Sequence, residues 1–148
     1  MARSQRTTMP ALQVEFGRPE HGWIEARLLA NEVVVQESVS DVPTDSLASL
    51  VSALIHMANG VSEASVTWHL EPEEWAWSFQ SQGDEVCFRA TSAVLPEFEV
   101  RLPQRRLLQT MMVALTRLRA DPAWEAEERA WSWPFPDASL QRLRALIR

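Results

Sequence analysis

Hydrophobic and polar residues alternate with a period of two in two parts of the chain, residues 12–40 and residues 62–102. Such alternation is typical of β-strands that bury one face and expose the other. Turn-forming residues separate the alternating segments, as at Ala30-Asn31-Glu32 and Gln82-Gly83-Asp84. The pattern therefore predicts about six to seven strands with short connections, the arrangement of a mostly antiparallel sheet.

The period changes to that of a helix between the two groups of strands, over residues 44–59. The apolar positions that form one stripe are Leu47, Leu50, Val51, Leu54, Ile55 and Ala58. Thr44 is a candidate N-cap, Asp45 suits the positive end of the helix dipole, and Gly60 follows the last turn. We expect this helix to pack centrally on the sheet.

Residues 104–147 are predicted to be helical. A second apolar stripe consists of Leu108, Met111, Met112, Leu115 and Leu118. Asp121-Pro122 predicts the start of a short helix that carries Trp124 and Trp131, and Asp137 is a candidate cap for a last helix. The order of strands, helix, strands and helices favours a single α+β domain over residues 12–148, preceded by a frayed terminus at 1–11.

Tryptophan is concentrated in two places. Period-two alternation puts Trp68, Trp75 and Trp77 on one strand face, which is expected to be the core side of the sheet. In the C-terminal third, Trp124, Trp131 and Trp133 lie in an acidic, proline-containing stretch. Those three are compatible with a core or with an interface, since Trp is common in both.

The composition is that of an ordinary globular protein: 148 residues, 46% hydrophobic and 23% charged, with a net charge of −6. The chain has no apolar run of about 20 residues and no apolar segment after its first arginines, so neither a membrane span nor a secretory signal is predicted. A single cysteine fits a reducing, cytoplasmic environment. The acidic balance argues against direct nucleic-acid binding.

The charges are unevenly distributed. Between Arg27 and Arg89 there is no Lys or Arg, whereas residues 101–119 contain five Arg and no acidic residue. This indicates a polarised surface, although the same charges could simply solvate outer faces and pair with one another.

Signals for catalysis are sparse. His69 and Glu71 share a strand face, and Cys87 and Arg89 could share that face on a nearby strand. These four residues are the candidates if the protein is a small enzyme or a ligand-binding domain. No paired metal-ligand spacing, phosphate-binding loop or nucleophile elbow is present, so we predict no catalytic residue, metal or cofactor.

Several short motifs follow the helix that ends at Asn59-Gly60. They are Trp68-x-x-Glu71-Pro72, Trp75-x-Trp77-x-Phe79 and Gly83-Asp84-x-Val86. With its size and acidity, the chain over residues 12–100 resembles the small, acidic, cytoplasmic α+β immunity proteins of bacterial polymorphic or contact-delivered toxins. The resemblance implies a protein that occludes the active site of a cognate toxin and needs no cofactor.

The hypothesis that follows is a protein-binding module with an acidic contact surface. Its candidate partner-binding residues are Glu71, Glu73, Glu74, Asp84 and Glu85, which would complement a basic active-site cleft on the toxin. The alternatives are the small enzyme described above and an adaptor that dimerises through its Trp-rich C-terminal helices. The protein could therefore be a monomer or a homodimer, and no membrane partner is expected.

Overall fold

The computed structural model describes residues 12–147. The predicted frayed terminus at 1–11 lies outside the described residues. The strands are β1 Gln13–Phe16, β2 Trp23–Ala30, β3 Val33–Ser40, β4 Glu63–His69, β5 Glu74–Gln82, β6 Glu85–Thr91 and β7 Phe98–Pro103. The α-helices are α1 Ser46–Ala58, α2 Gln104–Arg119 and α3 Asp137–Leu146.

The seven strands form one antiparallel sheet in which each strand pairs with its neighbours in the chain, in the order β1 to β7. This confirms the predicted α+β class with an antiparallel sheet. The tight turn between β2 and β3 consists of Asn31 and Glu32, with positive φ angles of 53° and 67°. Two consecutive left-handed residues match the twist of a hairpin, and Asn tolerates that conformation well.

One face of the sheet forms the core. Trp68, Trp75 and Trp77 are fully buried, as predicted, and their rings make edge-to-face contacts around Trp77. The centroid of the Trp77 ring lies 5.1 Å from that of Trp68 and 5.4 Å from that of Trp75. The opposite face of the sheet is polar over most of its area.

Helix α1 begins one residue later than the sequence indicates. The carboxylate of Asp45 accepts a hydrogen bond from Ala48 N at 3.1 Å, so Asp45 is the N-cap. The prediction that Thr44 caps this helix was wrong, because the Thr44 hydroxyl instead lies 2.8 Å from Nε2 of His69. The helix ends before Gly60, whose φ of 89° is the left-handed conformation that was expected there.

Helix α2 contacts both edges of the sheet. It packs against β1 at one edge and against β6 and β7 at the other.

The C-terminal third is helical only in part. The predicted helix carrying Trp124 and Trp131 is reduced to a 3-10 turn at Pro122–Glu125, which Asp121 caps through Ala123 N at 2.9 Å. The chain then leaves the helical conformation at Ala126 and remains irregular up to α3. The indole of Trp124 donates to Leu118 O at 2.9 Å, which folds this turn back onto the end of α2.

The expectation of one central helix and a helical C-terminal third is met in part, since α1, α2 and α3 all pack against the sheet or one another. Helix α1 packs on β4, and α3 packs on both α1 and α2. Among residues 12–147, no helix is long and apolar enough to cross a membrane.

Candidate protein-binding surface

The turn between β4 and β5 presents three glutamates to solvent. Its backbone is closed by a hydrogen bond from Leu70 N to Glu73 O at 2.7 Å, and Glu71 has a φ of 57°. Glu71, Glu73 and Glu74 are all exposed. We call these three residues the acidic turn.

The carboxylates of the acidic turn are almost free of partners. Neither Glu71 nor Glu73 takes part in an ion pair or a side-chain hydrogen bond within the part of the chain that the structure describes. Glu74 approaches His69, with 4.0 Å between Oε2 and Nδ1, and its side chain is 64% exposed. Unpaired carboxylates on an ordered turn attract a positively charged surface.

Strand register places an exposed tryptophan in line with the acidic turn. On the polar face, Trp23 of β2 pairs with Ser40 of β3, Ser40 pairs with His69 of β4, and His69 pairs with Glu74 of β5. The Cα atoms of Trp23 and Glu74 are therefore separated by three strand spacings, about 14 Å. Trp23 is 36% exposed, unlike the tryptophans of the core.

The sequence interpretation did not identify Trp23 as a functional candidate. A signal is present in the sequence, because Ile24, Ala26 and Leu28 are the apolar residues that alternate with Glu25 and Arg27, and Trp23 has the parity of the polar residues. Its position in the same row as Glu74 depends on how four strands align, which no local pattern specifies.

Asp84 and Glu85 do not belong to the same surface as the acidic turn. Asp84 lies in the connection between β5 and β6 and Glu85 begins β6, whereas the acidic turn lies at the start of β5. Strand β5 has nine residues, which span roughly 27 Å. The structure thus divides the five candidate residues into two groups at opposite ends of the sheet.

The residues of the enzyme hypothesis are also separated. Arg89 pairs with Ser78, and Ser78 pairs with Ser65, so His69 is two strands away and four residues further along β4. This offset corresponds to about 17 Å between the Cα atoms of His69 and Arg89. Within residues 12–147, no group of three or more His, Cys, Asp or Glu residues could hold a metal ion.

Cys87 and Arg89 both interact with Glu99, and not with Glu71, the acidic residue of the enzyme hypothesis. The Cys87 thiol donates to Oε2 of Glu99 at 3.6 Å, and the Arg89 guanidinium lies 2.9 Å from Oε1 of the same carboxylate. Burial raises the pKa of the Cys87 thiol, and the charge of Glu99 raises it further. A protonated thiol is a poor nucleophile, so this arrangement does not activate the cysteine.

The C-terminal tryptophans are buried against, or hydrogen-bonded to, other residues of this chain. Trp131 is buried, and the indole of Trp133 donates to Asp41 O at 2.7 Å while its ring stays 37% exposed. A pocket of about 330 Å³ lies beside them, between the end of α2 and the start of α3. The Arg119 side chain in this pocket is engaged with Asp137 at 2.8 Å and with Glu125 at 3.3 Å.

Comparisons with protein-family models, with characterised proteins and with solved structures give no match to this chain. The geometry of its surfaces is therefore the basis for assigning a function.

Proposed function

We propose that this protein is a cytoplasmic binding module of the immunity type, which neutralises a cognate toxin by covering the active site of that toxin. The observation that carries the proposal is the acidic turn, whose glutamates are exposed and nearly unpaired. The partner is expected to present a basic cleft to these carboxylates. The resemblance of residues 12–100 to immunity proteins supports the same function.

Trp23 adds an apolar anchor to the charged surface. Tryptophan is among the residues that contribute most energy at protein interfaces, whereas charges at the rim mainly accelerate association. A partner that contacts both Trp23 and Glu74 must span the distance between them, across Ser40, which is buried, and His69, whose side chain is 14% exposed. We expect Trp23 to influence the dissociation rate and the acidic turn to influence the association rate.

The natural candidate for the partner is the product of the gene adjacent to that of this protein. The first experiment is to express that product with and without this chain and to measure growth of the host cells. Rescue of growth supports the proposal, while absence of toxicity or of rescue counts against this candidate partner.

The contact surface is then tested by reversing charge at one end of β5 and using the other end as the control. Glu73→Arg with Glu74→Arg changes the net charge by the same amount as Asp84→Arg with Glu85→Arg. We expect the first pair to slow association with the toxin by about tenfold at low salt and the second to have much less effect. Equal slowing by both pairs would show that only net charge matters and that the acidic turn is not the contact.

A further inference from the structure

Strand β3 lies in the middle of the sheet, yet one of its two edges is open. All eight of its residues pair with β2, whereas Ser40 is the one residue of β3 that pairs with β4. Among the residues described, Val33 to Val39 therefore have a strand neighbour on one side alone. The two strands meet at Ser40 and His69 and diverge from there.

The backbone groups that point into this opening can be identified. Asp41 N donates to Gly22 O at 2.9 Å, which shows that the odd-numbered positions of this segment face β2. Because successive residues of a strand direct their N–H and C=O groups to opposite sides, Val34, Gln36 and Ser38 direct theirs into the opening. This gives three donors and three acceptors along one line.

The edge of β4 on the other side of the opening is covered by helix α1. Thr67 O, on the side of β4 that faces β3, accepts a hydrogen bond from the buried hydroxyl of Ser46 at 2.7 Å. Helix α1 packs along β4 and thus covers that edge. The edge of β3 is accessible instead: Val34 is 46% exposed, and Gln36 and Ser38 are exposed as well.

One side chain already occupies part of the open edge. The carboxylate of Glu37 accepts a hydrogen bond from Ser38 N at 3.2 Å. Charged side chains at exposed edges are one way in which proteins discourage indiscriminate strand pairing. Lys, Arg and Pro, which commonly serve this purpose, are missing from Val33–Ser40.

We propose that the β3 edge, residues Val34 to Ser38, receives an extended segment of a partner protein, which adds to the sheet as a further strand. Main-chain hydrogen bonds supply the affinity in this mode of recognition, and alternate side chains supply the specificity. The expected segment carries Arg or Lys where it meets Glu37 and a β-branched residue beside Val34. The inference goes beyond the proposed function, because it adds a second contact surface and uses no property of the acidic turn.

Charge favours a partner protein over a second copy of this chain. Two copies paired antiparallel about Gln36 would place Glu37 of each opposite Val35 of the other. The two Glu37 side chains would then be diagonal neighbours on one face, with Cβ atoms about 7–8 Å apart. Like charges at that position oppose self-association, whereas a basic residue on a different chain is attracted.

The test uses the whole protein and a synthetic peptide, acetyl-Thr-Thr-Arg-Thr-Val-Val-Thr-amide, as the probe, which in an antiparallel register places Arg opposite Glu37 and Val opposite the buried Val35. Its control is the same peptide with N-methylated backbone amides, which keeps every side chain and the charge but cannot pair as a strand. Amide hydrogen exchange and chemical shifts are followed by NMR at peptide concentrations up to about 1 mM, which detects even weak complexes. We expect protection of the Val34, Gln36 and Ser38 amides with the first peptide and none with the second.

Two variants locate the contact. Gln36→Pro removes the central outward N–H at a position where an edge strand tolerates proline, and it should weaken binding by at least about tenfold. Glu37→Arg should lose the arginine peptide and bind the peptide in which Glu replaces Arg.

Three results would overturn the proposal. The first is absence of protection over the whole concentration range. The second is equal binding of the N-methylated peptide with shifts at the acidic turn, which would indicate charge attraction alone. The third is protection of the same amides without peptide as protein concentration rises, which would identify a second copy as the occupant. No toxin is present, so these outcomes are independent of the proposed immunity function.

Discussion

The β4–β5 hairpin and the segment at residues 121–136 each contain three tryptophans, but they use them in different ways. In the hairpin, the indole N–H groups of Trp68, Trp75 and Trp77 are buried and have no hydrogen-bond acceptor among the described residues. In the C-terminal segment, Trp124 and Trp133 each donate to a backbone carbonyl, whereas the indole N–H of the buried Trp131 has no acceptor among the described residues. The hairpin thus uses tryptophan for its apolar surface, whereas the C-terminal segment also uses its polar N–H group.

The physical reason lies in the surroundings of each group. The hairpin tryptophans contact one another edge to face, a geometry that is favourable for aromatic rings and can direct a donor towards a ring face. The C-terminal segment has little regular structure and is fixed to the domain by individual hydrogen bonds and by the buried side chains of Trp131 and Phe135. We therefore expect mutations in the hairpin to act on the whole fold and mutations around residues 121–136 to act locally.

The largest effect is expected for Trp77→Ala. Trp77 is fully buried and contacts Trp68, Trp75 and Phe88, so its removal should cost about 3–5 kcal/mol of unfolding free energy. Urea unfolding monitored by circular dichroism measures this loss. Trp77→Phe is the control: it keeps one aromatic ring, loses the unpaired N–H and part of the buried ring volume, and should cost less than Trp77→Ala. A similar loss for both variants would contradict the view that Trp77 stabilises the core through its buried apolar surface.

An intermediate effect is expected for Asp41→Ala. The buried Asp41 carboxylate accepts a hydrogen bond from Ser132 N at 2.7 Å, and leaving that amide unpaired should cost about 1–3 kcal/mol. Hydrogen exchange should accelerate around Ser132 while the β4–β5 ladder keeps its protection. Asp41→Asn retains an acceptor oxygen and should behave nearly as the parent protein. Uniform acceleration over the chain would show that this segment is not a separate local unit.

The smallest effect is expected for Asp45→Asn and depends on pH. Burial raises the pKa of Asp45 above its ordinary value of 3.8, although hydrogen bonds from the backbone N–H groups of Ala48 and Leu47 offset part of this rise. Because its native pKa is raised, the Asp45 carboxyl favours the folded state when it is protonated. This contribution to the free energy of unfolding is fully present below the unfolded pKa and is lost as pH rises through the native pKa. The ionised carboxylate therefore costs stability at neutral pH, and Asn, which also caps helices, avoids that cost.

The measurement is urea unfolding of both proteins at about pH 3 and about pH 7, below and well above the ordinary carboxylate pKa. Asp45→Asn should gain stability relative to the parent protein at the higher pH, and the difference should disappear at the lower one. Asp45→Ala loses the cap and should be less stable by about 1 kcal/mol at both values. A constant difference between Asp45→Asn and the parent protein would contradict the pKa argument.

Part of the candidate surface could be predicted from the sequence. The turn after β4 and the exposure of Glu71, Glu73 and Glu74 follow from Pro72 and from the alternation of the flanking strands. The grouping of Asp84 and Glu85 with them did not hold, because adjacency in sequence says nothing about which end of a nine-residue strand a turn occupies. The same limitation applies to His69 and Arg89, which share a face but not a site.

The amino-acid sequence by itself determined the α+β class, the strand alternation and the burial of Trp68, Trp75 and Trp77. These properties depend on local periodicity, because a strand or helix must direct its apolar side chains to one side. Tertiary structure alone decided the row from Trp23 to Glu74, the hydrogen bonds that hold residues 121–136 to Asp41, and the open edge of β3. Those features depend on strand register and on the packing of elements that are distant in the chain.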